Sequence, residues 1–204
     1  GLLRQTAMTT TDSNQTRQRI FDAAQSIIAR KGFSAVGLNE VLNAAGVPKG
    51  SFYHYFASKD AFGTALLEHY FETYLADMDR IFQDPATSAH DALMRYWQLW
   101  ISSQTSQVEC GKCLAVKLGA EVADLSEPMR LALQRGTAQI VERLEAAISR
   151  GVEEGTVTIV ASPAQLALRL YALWLGASVM TKITRTHHAF EEALQQTQHL
   201  LDNR

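Results

Sequence analysis

The sequence predicts an all-α chain of about nine helices, with a three-helix amino-terminal domain of helix-turn-helix type and a larger helical domain behind it. Three observations carry that reading. Glycine and proline are sparse, with 12 and 4 among 204 residues. Apolar residues recur at spacings of three and four over long stretches. No stretch alternates convincingly as a half-buried strand would. With 47% hydrophobic residues, the chain can bury a sizeable core in one or two compact domains.

The elements follow in order. Gly1-Leu2-Leu3-Arg4-Gln5-Thr6-Ala7 is too short and polar for a signal peptide. With the polar stretch 9–16 behind it, residues 1–14 are expected to form a disordered extension. A first helix is expected over 15–31, with Ile20, Ala23, Ala24, Ile27 and Ile28 on one face and Gly32 closing it. A second covers 38–45, with Val41 and Leu42 inward, and Gly46 supplies the left-handed turn. A third covers 49–55. Ser58 caps a long fourth helix, with Asp60 in its first turn. Further helices are expected over 87–105, 112–123, 127–150, 163–186 and 189–202. Ser162-Pro163-Ala164-Gln165 has the form of a capping box with proline at the first helical position. Stretches 102–112 and 151–161 are the interior loop candidates. The expected domains are 15–60, which would bind DNA, and 61–204, which would sense and dimerise.

Charge limits the options. The formal net charge is −2. Residues 1–72 hold seven Lys/Arg against six Asp/Glu, and residues 73–204 hold twelve against fifteen. A weakly basic first third must bind nucleic acid through a local patch and backbone N–H groups, with a second copy doubling the contacts. No apolar run is expected to span a membrane. Two cysteines without a secretion signal point to a reducing cytoplasm and no disulfide framework. No Ser-His-Asp group, Gly-rich phosphate loop, HExxH pattern or cofactor motif is present, so no enzyme activity and no cofactor are expected.

The most informative stretch is Ala44-Ala45-Gly46-Val47-Pro48-Lys49-Gly50-Ser51-Phe52-Tyr53-His54-Tyr55-Phe56-Ala57-Ser58-Lys59. A recognition helix must be short, enter the major groove amino end first, and rest on a small core. Val47 and Phe52 would pack inward, and Gly50 would allow close backbone approach. Lys49 and Ser51 would sit where a phosphate is attracted. Tyr53, His54 and Tyr55 could reach sugar-phosphate or thymine methyls, and Lys59 could clamp a phosphate. The plain alternative is a surface helical hairpin with aromatic packing, and spacing alone leaves both open.

The segment 37–62 resembles the TetR family of transcriptional regulators. It has the A-G-V turn, then a glycine, an aromatic, a Tyr or His, a Tyr-Phe pair and a Ser-Lys. Gly37 stands where the family has a capping Thr or Ser. The resemblance implies a homodimer that binds a palindromic double-stranded DNA operator and is released by an inducer. It implies DNA contacts at Lys49, Ser51, Tyr53, His54 and Lys59, with Phe52 and Phe56 in the core.

Cys110-Gly111-Lys112-Cys113 has three readings. A zinc site needs four ligands, and no His pair with ligand spacing lies nearby, so no metal is expected. A reactive thiol at a helix start, beside Lys112 and near Lys117, would have a stabilised thiolate. A small buried residue is the third reading, and the chemistry alone favours it. Residues 110–130, 170–177 and 182–185 are similar to the NemR branch of the family, which senses electrophiles and hypochlorite. That resemblance implies a sensor at Cys113, linked to Lys182. Cys110 aligns less securely, and Ala123 stands where that branch can carry another cysteine.

Tyr96, Trp97, Trp100, Tyr171 and Trp174 could line a ligand cavity, although such residues are more often core or dimer packing. Leu166, Leu170, Leu173, Trp174 and Ala177 are expected at a four-helix dimer interface, with Gly176 and Ala177 allowing close approach. Glu121 with Asp124, and Glu153 with Glu154, read as solvated charges. Three functions therefore compete. One is a repressor gated by thiol modification. The second is the same repressor gated by a reversible apolar ligand. The third is an enzyme or adaptor with a vestigial DNA domain.

Overall fold

The computed structural model describes residues 2–105 and 114–203, with backbone alone for 2–10. Among them are nine helices: α1 (Leu2–Lys31), α2 (Leu38–Ala44), α3 (Phe52–Tyr55), α4 (Lys59–Phe82), α5 (Ala89–Thr105), α6 (Leu114–Ala123), α7 (Glu127–Glu154), α8 (Pro163–Thr184) and α9 (His188–Leu201). The described residues contain no strand, only an isolated bridge between Thr158 and Asp202.

The predicted punctuation holds. Gly32 and Gly46 take positive φ at +80° and +68°, ending α1 and turning the chain after α2. The Ser58 hydroxyl accepts from the Ala61 N–H at 3.0 Å, which caps α4. Ser162 and Gln165 form the reciprocal capping box of α8.

Three boundaries differ from expectation. The helix α1 begins at Leu2, where a disordered extension was expected. Within it the Thr16 hydroxyl donates to the Asp12 carbonyl at 2.9 Å, a bond compatible with the helix. The helix α3 begins at Phe52 rather than near 49, because Gly50 sits at φ +88°, outside any right-handed helix. The helix α7 runs on to Glu154, and Gly155 at φ +76° ends it inside the expected loop.

Packing divides the chain into two compact units, Gly1–Tyr70 with Val108–Leu133, and Phe71–Gln107 with Gln134–Arg204. This differs from a single boundary near residue 60, because α4 and α7 each run through both units.

In the first unit, Ile20, Ala24, Ile27 and Ile28 of α1 are buried with Val41 and Leu42 of α2. In the second unit the core is aromatic. Trp97 and Trp174 stack with centroids 4.7 Å apart, both fully buried. Trp100 meets Tyr171 and Trp174 at 6.0 and 6.2 Å, and Tyr96 meets Trp97 at 4.7 Å. The Trp100 indole donates to Ser178 at 2.8 Å, and the Trp174 indole donates to Thr197 at 3.0 Å. The five aromatic residues, read as either cavity lining or core packing, are all buried and pack against one another.

The helix α8 corrects two expectations. Leu166, Leu170, Trp174 and Ala177, expected at a dimer interface, are buried inside their own chain. The opposite side is also apolar: Leu168, Val179, Met180 and Ile183 are exposed, Ile183 at 70%. A helix apolar all round is long and apolar enough to cross a bilayer, by length and composition (mean hydropathy 1.2), where no such run was expected. Of its most apolar 18-residue window, 39% is buried within the chain.

Thr197→Val would leave the buried Trp174 N–H without its acceptor at nearly constant volume. Denaturant unfolding is expected to show a loss of about 1–3 kcal/mol.

Candidate DNA interface

The helix α3 has only four residues, so its neighbours must fix its orientation. Phe52 and Phe56 flank it and are buried. Phe62 of α4 meets Phe52 at 5.6 Å and Phe56 at 5.0 Å, and Phe21 of α1 meets Phe56 at 5.6 Å. Arg17 of α1 closes the cluster. Its guanidinium lies 4.8 Å from the centre of the Phe56 ring and donates to the Tyr55 carbonyl at 3.0 Å. That carbonyl is at the negative end of α3, which suits a cation. Sequence reasoning missed Arg17, since the Tyr55 carbonyl it bonds lies 38 residues along the chain.

Above this base the candidate contact residues face outward. Tyr53 is 71% exposed, with its ring edge-on to Phe52 at 5.4 Å. Lys49, Gly50 and His54 are exposed, and Tyr55 is half-buried with its ring 4.9 Å from His54. Ser51 is half-buried, and its hydroxyl donates to the Pro48 carbonyl at 2.5 Å, bracing the turn. Lys49, Tyr53 and His54 are therefore all solvent-facing, with Phe52 of the aromatic cluster beneath Tyr53.

Lys59, expected to clamp a phosphate, bonds the chain itself in this structure. Its ammonium donates to the Val36 carbonyl at 3.0 Å and the Ser34 carbonyl at 3.5 Å. It also lies 5.1 Å from the centre of the Phe33 ring. Glu121 of α6, expected to be a solvated charge, grips the same turn. Its carboxylate accepts from the Ser34 N–H at 2.7 Å and the Phe33 N–H at 3.2 Å. Glu154, also expected to be solvated, accepts from the Ala89 N–H at 3.0 Å and from Arg150 at 2.7 Å. These bonds hold its carboxyl below the usual carboxylate range, the Ala89 N–H contributing most.

Of the candidate sensor residues, Cys110 and Cys113 lie outside the described residues. Lys182 is exposed in the last turn of α8.

A short helix with Tyr53 and His54 exposed, entered through a turn that carries Lys49, is the arrangement a DNA-reading helix-turn-helix requires. The matching family models agree. Residues 20–66 match the description "Bacterial regulatory proteins, tetR family", and residues 89–197 match "Tetracyclin repressor-like, C-terminal domain". The chain belongs to the TetR family. It is a DNA-binding transcriptional repressor and not an enzyme. It is 37% identical over 188 residues to the HTH-type transcriptional repressor NemR of Escherichia coli K12, covering 92% of this chain and 94% of that one. The transcriptional regulator AcuR of Cereibacter sphaeroides is 33% identical over 180 residues, covering 84% of this chain and 78% of that one. The crystal structure of the reduced form of E. coli NemR superposes with a TM-score of 0.85, covering 93% of this chain and all of that one.

Lys49→Ala is expected to weaken binding to every duplex and to flatten the salt dependence by about one unit of slope per subunit. Filter binding over a potassium chloride series measures it, with thermal melting unchanged.

Proposed function

We propose that this TetR-family repressor binds a palindromic operator as a homodimer and is released when Cys113 is modified by an electrophile or oxidant. The observation that carries the reading is the likeness to NemR over nearly the whole chain, together with the place of Cys113 in the sequence. Cys113 stands directly before Leu114, the first residue of α6. A thiol at the start of a helix, with Lys112 beside it, has its thiolate stabilised. The thiolate adds to a quinone by forming an S–C bond, and the ring takes up a proton to become a hydroquinone. With hypochlorous acid it takes chlorine and hydroxide leaves. An amine such as that of Lys182 can then displace chloride to give an S–N bond, losing a proton. Either product changes the residue that leads into α6, and α6 carries the Glu121 grip on the turn before α2.

Dimerisation has its own support. Leu168, Val179, Met180 and Ile183 make an exposed apolar stripe on α8, and such stripes mark association surfaces. A two-fold assembly would present two copies of α3 to successive major grooves, about 34–36 Å apart.

A second reading has an observation of its own. In the second unit, buried Trp97 Nε1, Gln104 Nε2 and Thr181 Oγ1 have no hydrogen-bond partner among the described residues. Unpaired buried polar atoms are costly, and a reversible ligand with polar groups would satisfy them.

The deciding experiment compares wild type with Cys113→Ser. Both are expected to bind duplex DNA equally when untreated. Benzoquinone or hypochlorite is expected to release the wild type and leave the variant bound. Equal release of both would remove Cys113 as the sensor, and peptide mass spectrometry shows whether Cys113 carries an adduct or a link to Lys182. Ile183→Glu is expected to shift the chain from dimer to monomer in sedimentation, and an unchanged dimer would remove the α8 stripe from the interface.

A further inference from the structure

We infer that Glu121 and Lys59 are paired positioning residues for operator reading, acting on each other through the backbone of the turn between α1 and α2. The turn is held from both sides. Glu121 of α6 accepts the N–H groups of Phe33 and Ser34 at 3.2 and 2.7 Å. Lys59, the first residue of α4, donates to the carbonyls of Ser34 and Val36 at 3.5 and 3.0 Å. Ser34 belongs to both sets, so a carboxylate and an ammonium polarise one short run of peptide groups in the same sense.

The arrangement is specific in three ways. Gly32 precedes the gripped amides at φ +80°, and a Cβ there would lie 2.6 Å from a Glu121 carboxylate oxygen. Only glycine gives both the backbone conformation and the room for that carboxylate. Lys117, one turn before Glu121 on α6, reaches the Arg30 carbonyl at 3.4 Å, so α6 touches the end of α1 a second time. Lys59 lies directly behind α3 in the chain, separated only by Phe56, Ala57 and Ser58. A shift of α6 relative to the turn is therefore delivered to the residue that starts α4 and ends the α3 connection. Two of the three donors of this ammonium face carbonyls of the turn.

The inference rests on operator binding and not on thiol chemistry, so it is tested in untreated protein. The probes are a duplex selected by the wild-type protein from random-sequence DNA, and poly(dI-dC) as non-specific duplex. Lys59→Met and Glu121→Ala are each expected to lower affinity for the selected duplex about tenfold. Affinity for poly(dI-dC) and the salt slope should stay within error, and the double variant should be no weaker than the weaker single one. A loss shared by poly(dI-dC), with the slope falling by about one unit per subunit in Lys59→Met, would make Lys59 a phosphate contact and overturn the inference. Losses that multiply in the double variant, or single variants that bind as wild type, would overturn it too. Should Glu121→Ala not fold, Glu121→Gln with amide hydrogen exchange decides. Faster exchange at Phe33 and Ser34 together with weaker binding of the selected duplex supports the pairing, and unchanged exchange overturns it. If wild type selects no duplex at all, operator binding itself fails, which is a separate result.

Discussion

The conformation of α3 depends on the aromatic floor beneath it. Four residues are too few to sustain a helix in water, because nucleation costs more than so short a run returns. The conformation of α3 is instead imposed by Phe52 and Phe56 at its two ends, locked against Phe62 and Phe21. Arg17 adds a cation over Phe56 and at the last carbonyl of the helix. The exposed side chains gain their definition from that base: a Tyr53 ring on a mobile loop would lose orientation entropy on binding, whereas here it is already spent in folding.

What could be read from the sequence was what is local. Glycine turns, the Ser58 cap, the Ser162 capping box and the three-four spacing of apolar residues all act over a few positions, and the structure places each where the residues said. The outward-facing Lys49, Tyr53 and His54 were legible for the same reason. Glu121, Lys59, Arg17 and Glu154 were not, because each bonds backbone atoms remote in the chain. Glu121 meets its amides across 88 and 87 residues. A carboxylate seeking an N–H leaves no complementary residue type to find, so it reads as a surface charge. The start of α3 was misjudged because Gly50 was read for its lack of bulk and not for its positive φ.

The helix α8 shows a different limit. Its periodicity is weak because both sides are apolar, so the sequence identified a helix without saying which side faces its own chain. The answer needed α5 and α9, which supply Trp100 and Thr197 as partners for Ser178 and Trp174. The aromatic residues were ambiguous in the same way, since a lining and a filling use the same side chains. Ring centroids 4.7 Å apart decide for filling in the Trp97–Trp174 pair. An inducer acting here would have to loosen packed rings.

The grip of Glu121 on the turn also governs how the turn tolerates substitution. Its partners at Phe33 and Ser34 are main-chain amides, which nineteen of the twenty amino acids provide equally. Ser34 is exposed and lends no side chain to the arrangement. Its identity is thus free to drift while its position is not, and proline alone is barred there because it lacks the N–H. The sequence of the turn can change without altering the mechanics, and the constraint moves to residue 121 and the glycine before the grip.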